Sequence, residues 1–214
     1  STDGMFTQQS KLHASDAAVD DYFGTSVSLY GDTVLIGAHG DDDNGETNSG
    51  SVYVFTHSSV DGTFAQQSKL TASDAAAWDN FGISVSLYGE MALIGAHADD
   101  DNGKSNSGSV YVFTRSSAGG GTFTQQSKLH ASDAAVDDYF GTSVSLYGDT
   151  ALIGAYKDDD NSKTDSGSVY VFKAPPPPPP SPPPSPPPPP SPPSSPPAPS
   201  PSPPPPLFLT SLIE

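Results

Sequence analysis

The segment FTQQSKLHASDAAVDDYFGTSVSLYGDTVLIGAH, which begins at Phe6, returns from Phe64 and again from Phe123 with few changes. Phe23, Phe81 and Phe140 hold equivalent places, so the units recur every 58 to 59 residues. Such self-similarity restricts the chain to folds in which one supersecondary unit is laid down repeatedly and neighbouring copies bury each other's apolar faces. The period is too long for a single hairpin and suits about four short strands with their turns.

Strands are expected where β-branched and aromatic residues are bounded by Gly, Asp and Ser. In the first unit these are Phe6 to Leu12, Gly24 to Leu29, Thr33 to Ala38 and Ser51 to Phe55. The second alternates, with Val27 and Leu29 on one face and Ser26 and Ser28 on the other, as a half-buried strand does. The third is apolar throughout at Val34-Leu35-Ile36 and is expected to be buried on both faces. Tyr30-Gly31-Asp32 reads as the tight turn between them.

Each unit places Phe-Gly before Gly-Ala, then an Asp-rich loop, then Ser-Gly-Ser-Val-Tyr-Val-Phe. The residues are Phe23-Gly24 with Gly37-Ala38, Phe81-Gly82 with Gly95-Ala96, and Phe140-Gly141 with Gly154-Ala155. This pattern resembles the FG-GAP repeat. The resemblance covers nearly all of residues 1–174, in units of about 6–59, 60–117 and 118–174. It implies an all-β fold of three four-stranded blades, as in the β-propeller heads of integrin α-chains, here propeller-like or prism-like.

Propellers have about four to eight blades, so three units raise the question of closure. Phe6 to Leu12 has no Ser-Val-Tyr-Val-Phe strand before it, and Ser168 to Phe172 has no Phe-Thr-Gln-Gln strand after it. Pairing of these two edges within the chain closes a ring, which is the expectation. Pairing between chains grows an open assembly.

The loop carboxylates are Asp41, Asp42 and Asp43 with Asn44, Asp99, Asp100 and Asp101 with Asn102, and Asp158, Asp159 and Asp160 with Asn161. Hard cations take six to eight oxygen ligands, which carboxylates on alternate loop residues can supply. The resemblance to integrin repeats implies Ca²⁺ at these residues. Counted back from the glycine, the first ligand position falls on Gly40, Ala98 and Lys157, and Ser162 replaces the glycine in the third copy. The other reading is of solvated turns whose Asp and Asn side chains bond their own backbone. Asp16, Asp20 and Asp21 and their counterparts read as turns that cap the following strand.

No enzyme is expected. The five histidines are replaced from unit to unit: His13 by Thr71, His39 and His97 by Tyr156, and His57 by Arg115. No nucleophile elbow or phosphate-cradling glycine turn occurs, and the abundance of carboxylates is not the paired geometry of a glycosidase. Trp78, set against Val19 and Val136, reads as a core or rim filler, with sugar stacking as the other reading. The formal charge of −17 repels phosphate backbones and anionic lipid. The absence of cysteine excludes disulfides and thiolate sites. No apolar run reaches the roughly 18 to 20 residues of a membrane span, and the start at Ser1 reads as a processed N-terminus.

All 24 prolines lie between Pro175 and Pro206, while all but one of the 25 acidic residues precede them. Proline fixes φ and removes the backbone donor, so residues 175–206 are expected to form a polyproline II rod. At about 3.1 Å per residue it is on the order of 100 Å long. Its Ser-(Pro)n blocks resemble extensins and other hydroxyproline-rich glycoproteins of plant and green-algal walls, including the pherophorin rods. That resemblance implies O-linked glycans on hydroxylated Pro176, Pro177, Pro178, Pro183, Pro187 and Pro188 and on Ser181, Ser185 and Ser191. An unmodified linker or an SH3-type ligand is the plain alternative.

Residues 207–214 are an apolar tip. Leu207, Phe208, Leu209, Leu212 and Ile213 each forgo roughly 2 kcal/mol if left in water, so the tip is expected to be a β-strand that docks on a neighbouring subunit. The functional expectation is an extracellular structural glycoprotein that self-assembles head to tail into a fibre or matrix, at a cell wall, at a cell or flagellar surface, or in shed fibrils. The alternative is a calcium-dependent adhesion or carbohydrate-binding module on a proline-rich stalk.

Overall fold

The computed structural model describes residues 5–43, 45–115, 121–160 and 162–174. The chain divides into Ser1–Pro176 and Pro177–Glu214, and the second unit lies outside the described residues.

The described residues are all-β. The first sheet holds β1 (Ser26–Tyr30), β2 (Thr33–Ala38), β3 (Ser51–His57) and β4 (Phe64–Leu70). The second holds β5 (Ser84–Tyr88), β6 (Met91–Ala96), β7 (Ser109–Arg115) and β8 (Phe123–Leu129). The third holds β9 (Phe140–Tyr147), β10 (Thr150–Ala155) and β11 (Ser168–Lys173). All pairings are antiparallel and follow chain order. Gly31 joins β1 to β2 at φ 58, the left-handed conformation that two-residue hairpins need.

The fourth strand of the first two sheets is the opening segment of the next repeat, so the second and third repeats are each stitched to the one before. Two expectations fail for that reason. Phe6 to Leu12 is not a strand, and Phe6 is fully exposed. The sheet edge it needs is the last strand of a preceding blade, and β11 does not receive it. The third sheet has three strands rather than four, because beyond Ala174 the chain runs into proline, which has no N–H to give a ladder.

The sheets stand in a row, β1 beside β5 and β5 beside β9. Leu35, Val52 and Val54 on the back of the first sheet bury against Phe81, Val85 and Leu87 on the front of the second. Leu93 and Val110 on the back of the second bury against Phe140, Leu146 and Ile153 on the front of the third. Each motif phenylalanine also meets the Tyr of its own blade edge to face, at 5.5 Å for Phe23 and Tyr53 and 5.4 Å for Phe81 and Tyr111.

The glycines of the motif explain this close stacking. A Cβ on Gly37 would lie 2.0 Å from the Gly82 carbonyl oxygen, and one on Gly95 would lie 2.1 Å from that of Gly141. Bare backbone is therefore required where adjacent blades meet. The same carbonyls accept hydrogen bonds from the hydroxyls of Ser26 and Ser84, each at 2.7 Å.

The row does not close on itself. Val27 on the front of the first sheet is 66% exposed where its counterpart Val85 is 8% exposed. Val169 on the back of the third is 66% exposed where Val110 is fully buried. The expected intramolecular ring is absent because neither terminal face covers the other.

Candidate functional site: the carboxylate–lysine loops

The loop between the second and third strands of each blade carries the Asp run, and its three carboxylates do three different things. Asp41, Asp99 and Asp158 are buried and accept the hydroxyl hydrogens of Ser51, Ser109 and Ser168, at 2.6 Å for Ser109 and Asp99. Asp42, Asp100 and Asp159 turn back onto the loop and accept the backbone N–H of Asn48, Asn106 and Asp165 at 2.7, 2.8 and 2.8 Å. Asp43, Asp101 and Asp160 pair through their backbone with Glu46, Lys104 and Lys163, and the carboxylates of Asp43 and Asp101 face a lysine. Asn102 donates to Asp101 at 2.5 Å, while Asn44 and Asn161 lie outside the described residues.

A lysine occupies the centre of the first two clusters. Lys69 on β4 places its Nζ 2.7 Å from Asp41, 3.1 Å from Asp16 and 3.3 Å from Asp43. Lys128 on β8 reaches Asp74 at 2.8 Å, Asp99 at 2.9 Å and Asp101 at 3.8 Å. Each ammonium also lies over the Tyr of its blade, 5.4 Å from the Tyr53 centroid and 5.3 Å from that of Tyr111. Burial alone would lower the pKa of both lysines, but the hydrogen bonds and charges of the carboxylates outweigh it and hold both above the ordinary value. For Asp74 the same contest runs in reverse: burial raises its pKa, and the hydrogen bonds of Lys128 and Tyr111 with the lysine charge bring it below the usual range.

This donor set does not fit a Ca²⁺ ion in the first two loops. The ammonium stands among the carboxylates where a cation would have to sit, and the middle Asp of each run is committed to the backbone. Among the described residues no group of three or more His, Cys, Asp or Glu is arranged to hold a metal ion.

The third cluster differs. Asp133, the counterpart of Asp16 and Asp74, and Asp158 share the Tyr170 hydroxyl, which donates at 2.9 and 3.3 Å. Burial and these carboxylates hold the Tyr170 phenol above its ordinary pKa. The lysine equivalent to Lys69 and Lys128 is Lys11, which belongs to the segment that finds no sheet.

A separate set of carboxylates shapes the entry to each blade. Asp21, Asp79 and Asp138 are buried and accept the backbone N–H of Ala18, Ala76 and Ala135 at 2.5, 2.7 and 2.6 Å. Burial, reinforced by the charge of Asp99, raises the Asp79 pKa to about 6. Of the group expected to cap turns, Asp21 and its counterparts hold the turn, whereas Asp16 and Asp74 face the lysines instead.

Trp78 is exposed, so it is not a core filler. Its φ of 74 matches the 65 of Asp20 and of Asp137, which makes it the counterpart of those residues rather than of Val19 and Val136. The histidines are scattered: His39 meets the Thr25 hydroxyl at 2.9 Å, and His130 lies 3.7 Å from Asp101. Burial lowers the pKa of His39 and His97.

The lysines at the centre of the first two clusters are absent from the sequence-based ligand set, although Lys11, Lys69 and Lys128 recur at one place in every Gln-Gln-Ser-Lys-Leu segment. The residues assigned to glycosylation and to the assembly strand, with the whole of 175–214, lie outside the described residues.

No curated protein matches the chain. The FG-GAP repeat family matches residues 6–55, 64–113 and 123–172, three spans that each carry one Phe-Gly and Gly-Ala pair. Repeats of this kind are typical of extracellular or surface proteins and of adhesion-type propellers, and in integrins they often bind Ca²⁺. Among the described residues no helix is long and apolar enough to cross a membrane. With the motif glycines at the blade contacts and the three matched spans covering most of the sequence, the chain belongs to the FG-GAP repeat family.

Proposed function

We propose that this protein is a non-enzymatic extracellular structural glycoprotein whose copies self-assemble head to tail into a fibre or matrix. The blades are the assembly node, residues 175–206 a glycan-bearing spacer, and Leu207, Phe208, Leu209, Leu212 and Ile213 a strand that docks on a neighbouring copy. The observation that supports this reading is that the blade row ends on two uncovered apolar sheet faces, Val27 and Leu29 at one end and Leu152, Val169 and Val171 at the other. Contiguous apolar surface of this kind marks an interaction site, and two different faces on one chain give head-to-tail association.

The calcium-dependent adhesion module is the weaker reading, because a lysine ammonium already pairs with the carboxylates of two of the three Asp loops. Electron microscopy and sedimentation of the full chain, with and without residues 207–214, test the proposal. Fibres are expected from the full chain, and only small oligomers after the deletion. Fibres that survive the deletion refute the docking role of the tip, and a full chain that stays solitary at high concentration refutes the reading as a whole.

A further inference from the structure

Building on the self-association reading, we propose that two copies of this chain close a six-bladed ring, each copy lending residues 6–12 as the fourth strand of the other's third blade. Three separate features of the structure converge on that partner.

The first is the sheet edge. Phe123 to Leu129 and Phe6 to Leu12 have the same sequence, FTQQSKL. As β8, that sequence pairs with β7 so that Leu129 faces Val110, Lys128 faces Tyr111 and Ser127 faces Val112. On the open edge of β11, the same register sets Leu12 opposite Val169, Lys11 opposite Tyr170 and Ser10 opposite Val171 of the second copy.

The second is charge. In that register Lys11 arrives beside Asp133 and Asp158, the counterparts of the Asp16 and Asp41 that hold Lys69 at 3.1 and 2.7 Å. Among the described residues, neither Asp133 nor Asp158 has an ion pair to a lysine, and both accept the Tyr170 hydroxyl instead. The incoming segment carries the one basic side chain that completes the pattern of the other two blades.

The third is the face. The front of the first sheet opens as an apolar groove lined by Phe23, Val27, Leu29 and Val34. In the second and third blades this surface is filled by the back of the preceding blade. Leu152, Val169 and Val171 are the matching back-face residues, and they are exposed. The backbone is ready as well. Gly154, unlike Gly37 and Gly95, has no neighbouring-blade carbonyl against it, and Ser143 is the counterpart of the Ser26 and Ser84 that bond such carbonyls. The Tyr30–Tyr88–Tyr147 ladder, with centroids 5.1 and 5.0 Å apart, also ends on an exposed ring.

The number of copies follows from blade geometry. Propellers close with about four to eight blades, and two copies of a three-blade row is the one multiple that falls in that range. A heterologous contact that closes in this way yields a ring of fixed size.

The test uses the full chain with Leu12→Cys and Val169→Cys together, because the natural sequence has no cysteine to interfere. Directly opposed strand residues lie within disulfide reach. Mild oxidation is expected to give a covalent dimer of twice the monomer mass by denaturing mass spectrometry. The unsubstituted chain lacking residues 207–214 is expected to remain dimeric by light scattering, and Lys11→Glu or Val171→Lys in that background to give folded monomers. A cross-link within one chain, no cross-link, or higher oligomers in place of the dimer overturns the proposal. Loss of the dimer on removal of residues 207–214 also overturns it, since the tip and not residues 6–12 would then hold the edge. Fibres that persist without this dimer leave the self-assembly reading standing and refute only the ring.

Discussion

Replacing Lys128 with Met tests whether the ammonium is what makes the buried carboxylates tolerable. Asp99 is almost wholly inaccessible, and Lys128 Nζ lies 2.9 Å from it. At an effective dielectric near 20, opposite charges about 3 Å apart attract by about 5 kcal/mol. Regained hydration of the lysine-free site offsets part of this, and Asp99 keeps the Ser109 hydroxyl at 2.6 Å and the Tyr111 hydroxyl at 3.4 Å. The net loss is therefore about 2–3 kcal/mol, below the roughly 3–5 kcal/mol of a fully buried pair broken on one side. For a domain of this size that lowers the Tm by about 5–10 °C, measured by far-ultraviolet circular dichroism with Trp78 fluorescence as a second probe. Adding Asp99→Asn to Lys128→Met is expected to recover most of the loss, because the uncompensated charge is removed. Lys173→Met, which breaks an ion pair between two exposed side chains, serves as the control with no measurable change. A Lys128→Met protein as stable as the parent, or a double variant no better than the single one, refutes the reasoning.

The Asp79 carboxyl has its folded pKa raised to about 6, so its contribution to stability is full below the ordinary carboxylate pKa and is lost as pH rises through about 6. Asp79→Asn is thus expected to raise the Tm at neutral pH and flatten its dependence between about pH 4 and 6; a lower Tm at pH 7 contradicts this. Gly95→Ala drives a Cβ to 2.1 Å from the Gly141 carbonyl oxygen, and denaturant titration is expected to show a loss of about 1–3 kcal/mol, as for overpacked cores. Gly154→Ala, which within one copy meets only the movable Ser143 hydroxyl and oxygen of its own blade, is expected to lose less in the monomeric Val171→Lys chain lacking residues 207–214; equal losses there would remove the blade-contact explanation of the motif. Because lysines fill two of the loops, millimolar Ca²⁺ or a chelator is expected to leave the unfolding curve of the parent unchanged, and a clear upward shift of the Tm with Ca²⁺ would show that the carboxylates prefer the metal.

The repeat period, the alternation of Val27 and Leu29 with serines, and the all-apolar Val34-Leu35-Ile36 run were enough to read three all-β blades from sequence, because strand formation and hairpin register answer to neighbours a few residues away. What tertiary structure alone decided is non-local. Lys69 and Lys128 lie more than twenty residues beyond the Asp runs they pair with, on strands that open the following repeat, so the loops read in isolation look like cation sites. Residues 6–12 carry every sign of a strand and yet form none, since a strand exists only where another backbone offers its unpaired donors and acceptors. Whether a front or back face is buried depended in the same way on whether another blade stands against it, which is why Val27 and Val85, alike in sequence context, end on opposite sides of the solvent boundary.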